Sequence, residues 1–144
     1  MIVYPSYMSL ILIEGRGTST AQISTHMKVL IAEDTDSVQF ALRLAVEYLG
    51  HEVVGFASDG LEVIEKCRST QPELILMDVR MPFRDGLTCT AMLAKSDPTK
   101  KVLIVTGSRT TETEAREAGA RGFLEKPFDV ADLRRAIHGA LAAA

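Results

Sequence analysis

Five short apolar runs punctuate the chain: Val29-Leu30-Ile31-Ala32, Val53-Val54-Gly55-Phe56, Leu74-Ile75-Leu76-Met77, Val102-Leu103-Ile104-Val105 and Gly122-Phe123-Leu124. Three of them are apolar at consecutive positions, the pattern of strands covered on both faces. Between the runs the spacing becomes helical. Val38, Ala41, Leu42, Ala45, Val46 and Leu49 follow the i, i+3, i+4, i+7 rule and stop at Gly50. Val63, Ile64 and Cys67 mark a second helix, and Leu87, Ala91 and Ala94 a third. Thr111 to Gly119 offers only Ala115 and Ala118 as anchors, which predicts a loosely held helix. Val130, Leu133, Ile137, Ala140 and Leu141 mark the last helix, with Asp129 as its cap. Strands alternating with helices predict an α/β (βα)₅ chain with a parallel sheet and helices on both faces. Right-handed crossovers limit it to a few doubly wound orders.

The first 26 residues do not share this pattern. Leu10-Ile11-Leu12-Ile13 is their longest apolar stretch, against the ~20 residues a bilayer span needs. Neither a basic region before it nor a usual cleavage site after it suggests a secretory signal. Glu14 to Thr25 is rich in Gly, Ser and Thr and reads as a linker. Ile13-Glu14-Gly15-Arg16 matches a common engineered protease site, and His26-Met27 matches a cloning junction. Residues 1–26 are therefore read as an N-terminal extension or an engineered leader, and 27–144 as one domain. A net charge of −3 argues against a surface built for nucleic acid. Cys67 and Cys89 have no histidine at ligand spacing and read as reduced core residues of a cytoplasmic protein.

Candidate chemistry gathers at the strand ends. The first strand ends in Glu33-Asp34, the third in Asp78, the fourth in Thr106 and the fifth in Lys126. A parallel sheet brings these ends to one edge, where ligands of such folds bind. Three clustered carboxylates repel one another, and a hard divalent cation such as Mg²⁺ would hold them together. Mg²⁺ with carboxylates points to phosphoryl chemistry, in which an aspartate can be the nucleophile. Asp78, closing a central strand, is the natural one; Lys126 and Thr106 would offset charge on the transferring group. His26, His51 and His138 lie on three unrelated segments and support neither a metal cluster nor a histidine relay.

With these residues in place, the chain resembles the receiver domains of two-component response regulators. The resemblance is carried by Glu33-Asp34, Asp78-Val79-Arg80-Met81-Pro82 followed by Asp85-Gly86, Thr106, and Lys126-Pro127-Phe128, in order over nearly all of 27–144. It implies a flavodoxin-like sheet of strand order 2-1-3-4-5. It also implies that Asp78 accepts a phosphoryl group from a histidine kinase or histidine phosphotransfer protein. Asp34, Asp78 and the backbone carbonyl of Arg80 would ligate Mg²⁺, with Glu33 acting largely through water. Lys126 would pair with Asp78 at rest, Thr106 would move toward the phosphoryl group, and Phe123 would follow as the aromatic switch residue. The Lys126-Pro127 bond is expected to be cis. A downstream protein effector would meet the 111–143 face, formed by the fourth helix, fifth strand and last helix. The state would be monomer or phosphorylation-dependent dimer, without turnover of an external substrate.

Several positions depart from the commonest pattern. Glu33 replaces an Asp, Gly107 follows Thr106 where Ala is frequent, and Phe123 stands where Tyr is common. Arg80 has a long cationic side chain that could shield the phosphoryl group or steer water. Asp85 and Gly86 read as turn residues, with Gly86 supplying a positive φ. An aspartyl-phosphate enzyme of the haloacid-dehalogenase type is the enzymatic alternative, but Arg80 occupies the position of its second Asp. A flavin carrier is disfavoured because Glu33-Asp34 would repel its phosphate. A single-domain regulator and the receiver of a longer one read alike.

Overall fold

The computed structural model describes residues 26–142, so the reading of the leader lies, apart from His26, outside the described residues. Five strands, β1 (Lys28–Ala32), β2 (Glu52–Ala57), β3 (Leu74–Met77), β4 (Lys101–Thr106) and β5 (Gly122–Glu125), alternate with five helices. These are α1 (Asp36–Tyr48), α2 (Gly60–Thr70), α3 (Gly86–Ser96), α4 (Glu112–Glu117) and α5 (Val130–Ala142). All strand pairs are parallel, and the sheet runs β2-β1-β3-β4-β5. β1, β3 and β4 are thus interior strands, as their continuous apolar runs require.

Alternate residues of one strand serve opposite cores. Leu30, Ile75, Val102 and Ile104 face one side, packing with Val63 and Cys67 of α2, Cys89 and Leu93 of α3, and Ala115 of α4. Val29, Ile31, Leu76, Leu103 and Val105 face the other, packing with Leu42, Ala45 and Val46 of α1 and Leu133 and Ile137 of α5. Both cysteines are free and buried, and burial pushes the Cys67 thiol up to about 11.

Local chemistry sets the helix boundaries. Asp59 accepts the N–H groups of Leu61 and Glu62 at the start of α2, and Asp85 accepts that of Thr88 at the start of α3. Thr111 and Glu114 form a reciprocal capping box on α4. Asp129 and Asp132 exchange backbone-to-carboxylate hydrogen bonds at the start of α5. Gly50 ends the first helical segment with φ +90°.

Three expectations need correction. The buried stripe of α3 is Gly86, Cys89, Thr90 and Leu93, while Ala94 is exposed; small residues fit either side of a helix, so alanine spacing misplaced the face. α4 is one short helix, and of its two expected anchors only Ala115 is fully buried. Gly86 does not adopt a positive φ; in that loop the left-handed residue is Phe83, at φ +67°.

Gly139, inside α5, has open space where a Cβ would stand. Gly139→Ala should therefore stabilise the domain by about 0.5–1 kcal/mol, the helix-propensity difference, as a raised urea midpoint with unchanged slope.

Candidate functional site

The carboxyl ends of β1, β3, β4 and β5 converge, and backbone hydrogen bonds continue past the strands to fix the residues beyond them. Glu33 N–H donates to Ala57 O, Asp78 N–H to Ala32 O, and Lys126 N–H to Thr106 O, each at 2.9 Å. Glu33, Asp34 and Asp78 each bring one carboxylate oxygen within 4.8 Å of the others. Glu33 and Asp78 are buried and Asp34 is exposed, which leaves the cluster open on one side.

The Lys126 ammonium serves this cluster. Lys126 Nζ donates to Glu33 Oε2 at 2.7 Å and stands 3.8 Å from Asp78 Oδ1. Lys126 therefore forms an ion pair with Asp78, as expected, while its hydrogen bond goes to Glu33. The longer Glu33 side chain reaches the ammonium, and its other oxygen, Oε1, accepts Thr35 N–H at 3.2 Å. Gln39 Nε2 donates to the Glu33 carbonyl and ties α1 to the same residue. Asp78 Oδ1 accepts Val79 N–H at 2.9 Å.

Asp78 is thus short of positive charge. Burial pushes its carboxyl from 3.8 up to about 6, against the pull of Lys126; Glu33 and, more weakly, Asp34 push the same way, and the Val79 N–H opposes them. A hard divalent cation would reverse that balance. The donor set suits Mg²⁺: three carboxylates of which one faces solvent, all oxygen and none sulfur or imidazole.

The neighbouring groups fall where the strand ends carry them. Thr106 is fully buried, with its hydroxyl engaged by the loop that follows it. Arg80 directs its side chain to solvent, since it is exposed. Phe123 pairs with Ile104 in the sheet and packs half-buried against the core on the α2–α4 side. The Lys126–Pro127 peptide is cis. Gly86 is where α3 meets the site: a Cβ there would lie 2.1 Å from the Asp78 carbonyl oxygen, so the residue is glycine for close approach. The segments that carry His26 and His51 lie side by side at the opposite end of the sheet. His26 Nδ1 is 2.9 Å from Gly50 O, and His51 Nδ1 accepts Met27 N–H at 3.3 Å. Ser108 and Thr110 were not singled out from the sequence, yet their hydroxyls extend the Thr106 contact; the signal was the alternation Thr106-x-Ser108-x-Thr110.

Comparison with known proteins decides the family. The family model of the response regulator receiver domain matches residues 29–138. The chain belongs to that family. It is 37% identical over 121 residues to the transcriptional regulatory protein PdtaR of Mycobacterium tuberculosis, covering 83% of this chain and 59% of that protein. It is 31% identical over 113 residues to the chemotaxis protein CheY of Thermotoga maritima, covering 77% of this chain and 94% of that one. Among solved structures, a LuxR-family two-component response regulator from Aurantimonas superposes with a TM-score of 0.76 at 30% identity, over 82% of this chain and 86% of that one. This receiver therefore has the flavodoxin-like fold and acts in phosphoacceptor signalling of two-component systems. Receivers are regulatory domains that typically bind Mg²⁺ at an acidic pocket such as this one. Among the described residues, no helix is long and apolar enough to cross a membrane.

The Asp78 shift has a testable sign. A carboxyl raised from 3.8 to about 6 binds its proton more tightly folded than unfolded, so stability falls as pH rises through that window and levels off above it. Asp78→Asn should raise stability at pH 7.5 in chelator by about 1–3 kcal/mol, with the gain vanishing below about pH 4. Thermal melts across pH measure this, and added Mg²⁺ should stabilise the parent more than the variant.

Proposed function

We propose that Asp78 is the phosphoacceptor, taking a phosphoryl group from the phosphohistidine of a histidine kinase or histidine phosphotransfer protein. The reading is supported above all by one observation: three carboxylates within 4.8 Å of one another at the carboxyl edge of a receiver-family sheet, with Lys126 beside them. An Asp78 carboxylate oxygen forms the bond to phosphorus as the phosphorus–nitrogen bond to the donor histidine breaks, and the departing imidazole keeps the electron pair. Asp34, Asp78 and the Arg80 backbone carbonyl would hold Mg²⁺, with Glu33 through water. Bound there, Mg²⁺ supplies positive charge that offsets the phosphoryl oxygens and the crowded carboxylates.

Lys126 and Thr106 are the chain's own contributions. The ammonium already stands 3.8 Å from Asp78, and exchanging Glu33 for a phosphoryl oxygen requires only a change of partner at the end of a flexible stem. Thr106 donates its hydroxyl proton to the phosphoryl group, and Phe123 repacks beside it to carry the change outward. A downstream protein effector then reads the surface of α4, β5 and α5, in a monomer or a phosphorylation-dependent dimer in the cytoplasm. α4 suits this role because, of its own residues, only Ala115 is buried. A shallow apolar groove of about 190 Å³, lined by Val38, Ala41 and Leu42 of α1 with Pro127 and Phe128, lies beside Lys126 where the phosphodonor protein would rest. Residues 27–144 form the receiver unit on this reading.

With acetyl phosphate and Mg²⁺, intact-protein mass spectrometry should show one added phosphoryl group, absent without Mg²⁺ and absent in Asp78→Asn. Lys126→Ala should slow its appearance by about 100- to 1000-fold, the range for losing one preorganised donor. An adduct persisting in Asp78→Asn would sink the assignment.

A further inference from the structure

The loop after β4 holds more polar order than a connection needs. Ser108 N–H donates to Thr106 Oγ1 at 3.0 Å, and Ser108 Oγ lies 2.8 Å from the same oxygen. Ser108 Oγ lies 2.8 Å from Thr110 Oγ1 and accepts Thr110 N–H at 3.3 Å. Three hydroxyls two residues apart thus form one chain from the end of β4 to the residue preceding the α4 cap.

A hydroxyl carries one proton. If Thr106 donates to Ser108, Ser108 donates to Thr110, and each oxygen of the fully buried or half-buried chain is satisfied within the loop. An anion on Asp78 needs that same Thr106 proton. The backbone cannot simply carry Thr106 across, because its carbonyl accepts Lys126 N–H at 2.9 Å. What can change is the partner of the hydroxyl. We propose that Ser108 and Thr110 are positioning residues that latch Thr106 in its resting orientation, so that a phosphoryl group on Asp78 competes with Ser108 for the Thr106 proton and unties the 107–110 loop when it wins. The inference rests on Asp78 as phosphoacceptor and adds what opposes the switch. One neutral hydrogen bond given up corresponds to about a two- to tenfold penalty on the anion-bound state.

The test is the affinity of the full chain with saturating Mg²⁺ for beryllium fluoride, an inert phosphoryl mimic, read by amide resonances. Ser108→Ala should bind about fivefold tighter than the parent, the hydroxyl-bearing Ser108→Thr should return to the parent value, and Thr110→Val should fall between them. In the parent, the Ser108 amide resonance should move on titration as its acceptor leaves. A loop merely loosened by Ser108→Ala would not be reset by threonine. Equal or weaker binding by Ser108→Ala, or a Ser108 amide that stays in place, overturns the latch while leaving Asp78 intact. A parent chain that binds Mg²⁺ but not beryllium fluoride overturns the phosphoacceptor reading and the latch with it.

Discussion

Like charge held at close range is the constraint on which this molecule is organised. Glu33, Asp34 and Asp78 come from two strand ends that the parallel sheet places side by side, and the backbone bonds beyond those strands prevent the three from drifting apart. The Lys126 ammonium reaches two of the three carboxylates, Glu33 and Asp78, and it bonds to the more buried Glu33. Asp78, with the longer contact to Lys126, has a raised proton affinity, first because it is buried and then because Glu33 and Asp34 repel its charge. The cluster is therefore prepared for added positive charge.

The scaffold makes that arrangement affordable. β1, β3 and β4 are interior strands whose residues alternate between two apolar layers, and this rigid centre fixes where the acidic loops begin. Rigidity decreases outward. α1 and α5 bring three and four buried residues to their layer, whereas α4 brings one. A perturbation at the strand ends meets least resistance along the β4–α4 side, since local opening follows the density of buried contacts.

Much of this was legible in the chain itself. The interior strands announce themselves as unbroken apolar runs, and β3 was located to the residue. The other strands extend by a residue at one or both ends through Lys28, Glu52, Ala57, Lys101, Thr106 and Glu125; all but Ala57 are polar positions whose backbones continue the ladder although their side chains leave the apolar pattern. Parallel topology was enough to gather Glu33, Asp34, Asp78 and Lys126 at one edge. It could not say which carboxylate receives the ammonium, because that depends on side-chain length and rotamer once the loops are folded. The face of α3 was misread because alanine carries little directional information. The Thr106-Ser108-Thr110 chain was missed because short polar residues in a loop look alike whether they face water or one another.

The contact at Gly86 has a consequence for how such a domain can diversify. The first turn of α3 sits so close to the carbonyl of Asp78 that no side chain can enter, so that flank of Asp78 is closed to evolutionary adjustment. The other flank has latitude: Arg80 is exposed, and a Cβ on Gly107 would meet nothing nearer than 3.7 Å. Variation that reshapes the surroundings of Asp78 has room there, where a side chain can change without meeting the backbone that carries the carboxylate.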